Sequence, residues 1–96
     1  MTQESIEATL QTAALDMQER HVRALYLYGS QARGDAGPDS DIDILADFDR
    51  TVSLLAVAGL QNNLSRLLGK PVDLGMLAAI RKNNQQHILQ EMVRVW

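Results

Sequence analysis

Residues 25–48 read LYLYGSQARGDAGPDSDIDILADF, and the way this stretch divides decides the fold. Its first four residues complete an apolar run, Val22 to Tyr28 (VRALYLY). That run is rich in β-formers and apolar at nearly every position, which predicts a strand buried on both faces. Gly29-Ser30 stops it abruptly. Gln31 to Ser40 mixes Gly34, Gly37 and Pro38 with polar residues and reads as mostly loop. From Asp41 to Phe48, Ile42, Ile44 and Ala46 alternate with Asp41, Asp43 and Leu45, the period of a second strand.

Working outward, Thr2 to about Arg20 places Ile6, Leu10, Ala13, Ala14 and Met17 at helical spacing, with Thr2 as N-cap. Ser53 to Leu68 predicts a second helix, with Leu54, Leu55, Val57, Leu60, Leu64, Leu67 and Leu68 available to a core and Gly69 at its C-terminal stop. Pro71 to Leu74 is a short third strand. Leu77 to Val93 is helical with a break expected near Asn83-Asn84, and Arg94 to Trp96 is an expected edge strand. The fold class is α/β (α+β): one domain, residues 1–96, with a small mixed sheet carrying helices on one face and polar chemistry on the other.

Composition narrows the function. The 96 residues suit one domain with a limited core, which a partner subunit would help to stabilise. A net charge of -3 gives no basic face for polymeric nucleic acid. The absence of cysteine excludes disulfides and thiolate metal sites. No apolar run approaches a membrane span and no signal peptide is evident, so the expected compartment is the cytoplasm.

The aspartates are clustered: six of the eight fall between Asp35 and Asp49, so D-x-D pairs arise there easily. Position separates them. Asp39 follows Pro38 in the loop, and Asp49 lies past the strand end, where a helix N-cap role fits. Asp41 and Asp43 alternate with core isoleucines, so both side chains project from one face, roughly 7 Å apart. Two ionised carboxylates side by side repel, and a cation between them relieves the repulsion. With oxygen ligands alone, that cation is hard: Mg²⁺, or Mn²⁺ in its place. Asp73 between Val72 and Leu74 repeats the pattern and joins the same patch if the strands are neighbours. Gly29 permits a sharp turn and close backbone approach, free N–H groups after it favour phosphate, and Ser30 and Arg33 add donors. Taken alone, each half is weak. Together they are the apparatus of nucleotidyl transfer.

Gly29-Ser30, ten residues, then Asp41-Ile42-Asp43 resembles the signature of the polymerase-beta-like nucleotidyltransferases. The fuller stretch quoted above, continuing through LLGKPVDLG, is similar to the minimal nucleotidyltransferase (MNT) proteins of prokaryotes over essentially the whole chain. The resemblance implies a minimal nucleotidyltransferase fold, Asp41, Asp43 and Asp73 as metal-binding catalytic acids, and Gly29 and Ser30 as the triphosphate turn. Arg33 and Gly34 match a common Ala-Arg-Gly continuation. It further implies an antitoxin that moves AMP from ATP, with Mg²⁺, onto a tyrosine of a HEPN-domain ribonuclease toxin, and a stable hetero-oligomer with that toxin.

Two rivals stand beside this expectation. Small-molecule nucleotidyltransferases share the signature but carry extra domains for the acceptor. A non-catalytic antitoxin would neutralise by covering its partner. The remaining conspicuous residues have plainer readings. His21 and His87 are structural or surface residues. Tyr26 and Tyr28 are expected in the core with hydrogen-bonded tips, Met17, Met76 and Met92 are packing residues, and Trp96 either closes a short strand or anchors a partner.

Overall fold

The computed structural model describes Met1 to Trp96. In chain order the elements are α1 (Gln3–Gln11), α2 (Ala14–Glu19), β1 (Val22–Tyr28), α3 (Ser30–Arg33), β2 (Ile42–Phe48), α4 (Leu54–Leu68), β3 (Val72–Met76), α5 (Leu77–Lys82), α6 (Gln86–Glu91) and β4 (Val93–Arg94). The four strands form one mixed sheet in the order β3-β2-β1-β4. β2 runs antiparallel to β1 and parallel to β3, and β4 pairs antiparallel with the other edge of β1. The parallel pair needs a long crossover, and α4 supplies it.

The core lies between the sheet and α1, α2 and α4. Ile6, Leu10, Met17, Leu25, Leu27, Ile42, Ile44, Leu60 and Leu64 have no solvent exposure. The alternation in β2 therefore does what its spacing predicts, sending both isoleucines inward. On α4 the buried residues are Leu60, Leu64 and Leu68, a single stripe at i, i+4 and i+8. Each such leucine contributes about 1.5–3 kcal/mol by leaving water.

Several local expectations need correction. The first helix is two, because Thr9 Oγ1 donates to Ser5 O (2.9 Å) and Thr12 Oγ1 to Thr9 O (2.6 Å). Such back-bonding bends and ends helices. Thr2 is the N-cap, in a reciprocal box with Ser5. Leu54 and Leu55 do not reach the core; they are 85% and 83% exposed. They sit roughly 120–140° around the helix from Leu60, at 3.6 residues per turn. Asp49 does not cap α4: Ser53 does, accepting from Ala56 N at 3.1 Å. Asp49 instead pairs with Arg50 and, at 3.8 Å, with His21 Nδ1. The C-terminal helix breaks where expected, at Asn84, whose φ of 54° is the left-handed conformation asparagine tolerates.

The opposite sheet face is partly apolar. Ala24 and Leu45 point away from the main core yet are buried, and α5 lies against β2 and β3. Tyr26 and Tyr28 share that face and are half-buried, so they are not core residues. Trp96 packs against the main core, which favours the strand-closing reading of that residue.

Candidate active site

β1 and β2 deliver their ends to one place. Asp43 is the register partner of Tyr28 on one side and of Asp73 on the other. Tyr28, Asp43 and Asp73 thus form a row across three strands, spaced roughly 4.8 Å apart. Asp41 lies two residues before Asp43 and is exposed; Asp43 is half-buried. The condition on which Asp73 joins Asp43, that β2 and β3 be neighbours, holds in the register.

β3 is an edge strand, and its outward N–H groups are held by α4. Val72 N donates to Ser65 Oγ at 3.0 Å, and Leu74 N to Gln61 Oε1 at 2.9 Å. These two bonds flank Asp73 and fix the strand that carries it.

Ion pairing sets half of the eight aspartates apart from the candidate acids. Asp16, Asp35, Asp47 and Asp49 each pair with a cation. Asp47 shares a face with Asp43, but Arg23 holds it through Nε (3.1 Å) and Nη2 (3.3 Å). Asp41, Asp43 and Asp73 have no salt-bridge partner, and neither does the loop residue Asp39. The Asp43 carboxyl is pushed above its usual range, first by burial and then by Asp73 and Asp41, with Arg33 opposing. Burial, followed by Asp43 and Asp73, also raises the Tyr28 phenol. Unneutralised carboxylates close enough for two of them to raise the third's proton affinity suit a divalent cation. They do not close into a protein-only coordinating cluster. A cation held there would have to complete its shell with water or substrate oxygens, as Mg²⁺ does.

Gly29 ends β1 with φ 69° and ψ -145°, a region essentially restricted to glycine. A Cβ built there would stand 2.6 Å from Asp43 Oδ2. Chain reversal at Gly29 starts α3, which closes on Gly34 at φ 79° and has no side-chain cap at its N-terminus. Its first amides are left for another acceptor. Arg33 is not a free cation: Nε lies 3.2 Å from Asp35 Oδ2 and Nη1 3.3 Å from Glu91 Oε1. These carboxylates raise its guanidinium further, Asp35 first. Glu91 also accepts from Gly29 N at 3.1 Å. No local pattern announced Glu91, because the contact spans 62 positions.

The site is open sheet surface. The largest concavity, about 380 Å³, lies beside it between Met1–Glu4 and the α3 segment, and includes none of the three carboxylates. Gly75 leaves room on β3: a Cβ there would meet Leu45 Cδ2 at 3.1 Å and Tyr28 Oη at 3.8 Å. The Tyr28 ring therefore lies across the sheet toward β3.

A turn without a side-chain cap beside the unneutralised acids Asp41, Asp43 and Asp73 is the arrangement expected of a nucleotidyltransferase. The comparisons agree: residues 10–95 match the nucleotidyltransferase domain family, and the chain belongs to it. It is 40% identical to the protein adenylyltransferase MntA of Thermococcus cleftensis, over 99% of this chain and 97% of that one. A solved structure assigned as a minimal nucleotidyltransferase superposes with a TM-score of 0.78 at 29% identity, covering 97% of this chain and 95% of that one. A third similarity is to the complex of tri-AMPylated Shewanella oneidensis HEPN toxin with MNT antitoxin. There the TM-score is 0.70 at 22% identity, covering 99% of this chain and 72% of that one, and it speaks to the fold alone. The chain is an enzyme of the nucleotidyltransferase class, and no helix in it is long and apolar enough to cross a membrane.

Proposed function

We propose that this chain is a Mg²⁺-dependent antitoxin that transfers AMP from ATP to a tyrosine hydroxyl of a HEPN-domain toxin in the cytoplasm. The observation that carries the reading is the juxtaposition of Gly29 with Asp43, which sets an open phosphate turn against the unneutralised acids Asp41, Asp43 and Asp73. Similarity to a protein adenylyltransferase supports a protein as acceptor.

In this reading the amides that open α3 and the Ser30 hydroxyl hold the triphosphate. Asp41 and Asp43 would hold Mg²⁺, which supplies charge neutralisation on the phosphate oxygens. Asp73 completes the acid set and orients the incoming hydroxyl, taking its proton as the oxygen attacks the α-phosphorus. The bond between the α-phosphorus and its bridging oxygen breaks, and pyrophosphate leaves. Arg33 balances charge at the rim of the turn. An open sheet face with no acceptor pocket over the acids suits an acceptor presented by a protein rather than a small molecule.

The test is incubation of the HEPN-domain partner with this chain, ATP and Mg²⁺, followed by intact mass measurement. A partner heavier by AMP or a multiple of it supports the proposal. An unchanged partner mass, with both proteins folded, overturns AMP transfer for that pair.

A further inference from the structure

Glu91 is the last residue of α6, with Met92 between it and β4, and its Oε1 accepts from two groups of the turn at once: Gly29 N at 3.1 Å and Arg33 Nη1 at 3.3 Å. The backbone explains why a side chain is needed. β4 pairs with β1 through Tyr26–Arg94 and Leu27–Val93 only. Leu25 N donates to Trp96 O along that edge. The amide of Gly29 stands on the same edge, by the two-residue alternation of a strand. The ladder has ended there, and the Glu91 carboxylate takes the place of the missing strand carbonyl.

We propose that Glu91 is a positioning residue for nucleotide binding: it pins the Gly29 amide and Arg33 together and so ties the geometry of the phosphate turn to the C-terminal segment. This rests on the reading of Gly29-Ser30 as the triphosphate turn. A carboxylate beside a phosphate site could instead compete with the triphosphate, and its placement argues against that. The Gly29 amide that Glu91 accepts from lies on the β4 edge of β1, whereas the open amides are those that begin α3. Without Glu91, Arg33 keeps Asp35 as its only carboxylate partner, and the turn loses its tie to the C-terminal segment.

The test uses the full chain and AMP-PNP with Mg²⁺, measured by calorimetry, together with AMP transfer at saturating ATP. Glu91→Ala is expected to weaken AMP-PNP about tenfold, the scale of one lost hydrogen bond, while the saturated transfer rate stays within about threefold. Glu91→Gln keeps an acceptor for Gly29 N and loses only the charge on Arg33, so its loss is smaller. It serves as the readout should the alanine variant fold poorly. In an Arg33→Ala background, Glu91→Gln is expected to add less than about twofold. Unchanged or tighter AMP-PNP binding by both Glu91 variants overturns this inference. Failure of the wild-type chain to bind AMP-PNP would instead overturn the triphosphate reading of the turn.

Discussion

Asp43 Oδ2 lies 2.6 Å from the point where a Cβ on Gly29 would stand. The turn that ends β1 and the acid that rides on β2 are therefore one unit, and the missing side chain is what lets them meet.

Gly29→Ala challenges that unit twice. The new methyl would meet the Asp43 carboxylate, and φ 69° with ψ -145° penalises any side chain. The backbone strain alone costs about 1–3 kcal/mol. Thermal unfolding should show that loss, and AMP transfer should fall by about a hundredfold or more, because a displacement of about an ångström at the reacting groups has that effect. A variant with unchanged melting temperature and activity would separate the turn from the acid.

Asp43 should cost the nucleotide-free fold stability. Its carboxyl is raised by burial and by Asp73 and Asp41. A carboxyl raised in the folded state stabilises while protonated, and that contribution is lost as pH rises through its folded value. Asp43→Asn should therefore melt higher than wild type at neutral pH without divalent cation. The gap should close as pH falls into the carboxylate range. Mg²⁺ with nucleotide should raise the wild-type melting temperature and leave Asp43→Asn unmoved. Parallel melts across pH, with and without Mg²⁺, check both statements; coincident curves throughout would count against repulsion at this site.

Gln61 should matter to the site from a distance. Its Oε1 accepts from Leu74 N at 2.9 Å, next to Asp73. Gln61→Ala removes that acceptor, at about 1 kcal/mol, or about 4–8 °C for a domain of this size. The measurement is a melt paired with a transfer assay. The expected result is a lowered melting temperature together with a reduced rate at saturating ATP, since Asp73 loses its fixed strand. Retained activity would mean that pairing with β2 and the Val72–Ser65 bond position Asp73 without Gln61.

Much of this site was legible in sequence because its logic is local and periodic. Ile42 and Ile44 alternate with Asp41 and Asp43, and Val72 and Leu74 flank Asp73; burial of the apolar set fixes the face of the acids. Gly29 and Gly69 were legible because positive φ selects glycine. The misses have equally physical causes. Leu54 and Leu55 are apolar, but helical phase turns them away from the core. Ser53 rather than Asp49 caps α4, because chain trajectory and not residue type alone decides between nearby capping residues. Arg33 looked like a free phosphate ligand, since neither Asp35 nor distant Glu91 could be recognised as its partner before folding. Tyr28 was assigned to the core because an apolar run hides which of its two faces meets a helix.

Whether Asp41 and Asp43 carry nucleotidyl transfer or merely accompany binding is tested most directly by the Asp41→Asn, Asp43→Asn double variant, co-purified with the proposed HEPN-domain partner and incubated with ATP and Mg²⁺. Loss of two ligands that would hold the cation removes several kcal/mol of transition-state stabilisation, about a thousandfold or more in rate. The account predicts that the double variant still binds the partner, that the partner's intact mass stays unmodified, and that the wild-type chain adds AMP under the same conditions. AMP addition by the double variant at the wild-type rate would contradict it, as would full protection of cells by a variant that transfers nothing.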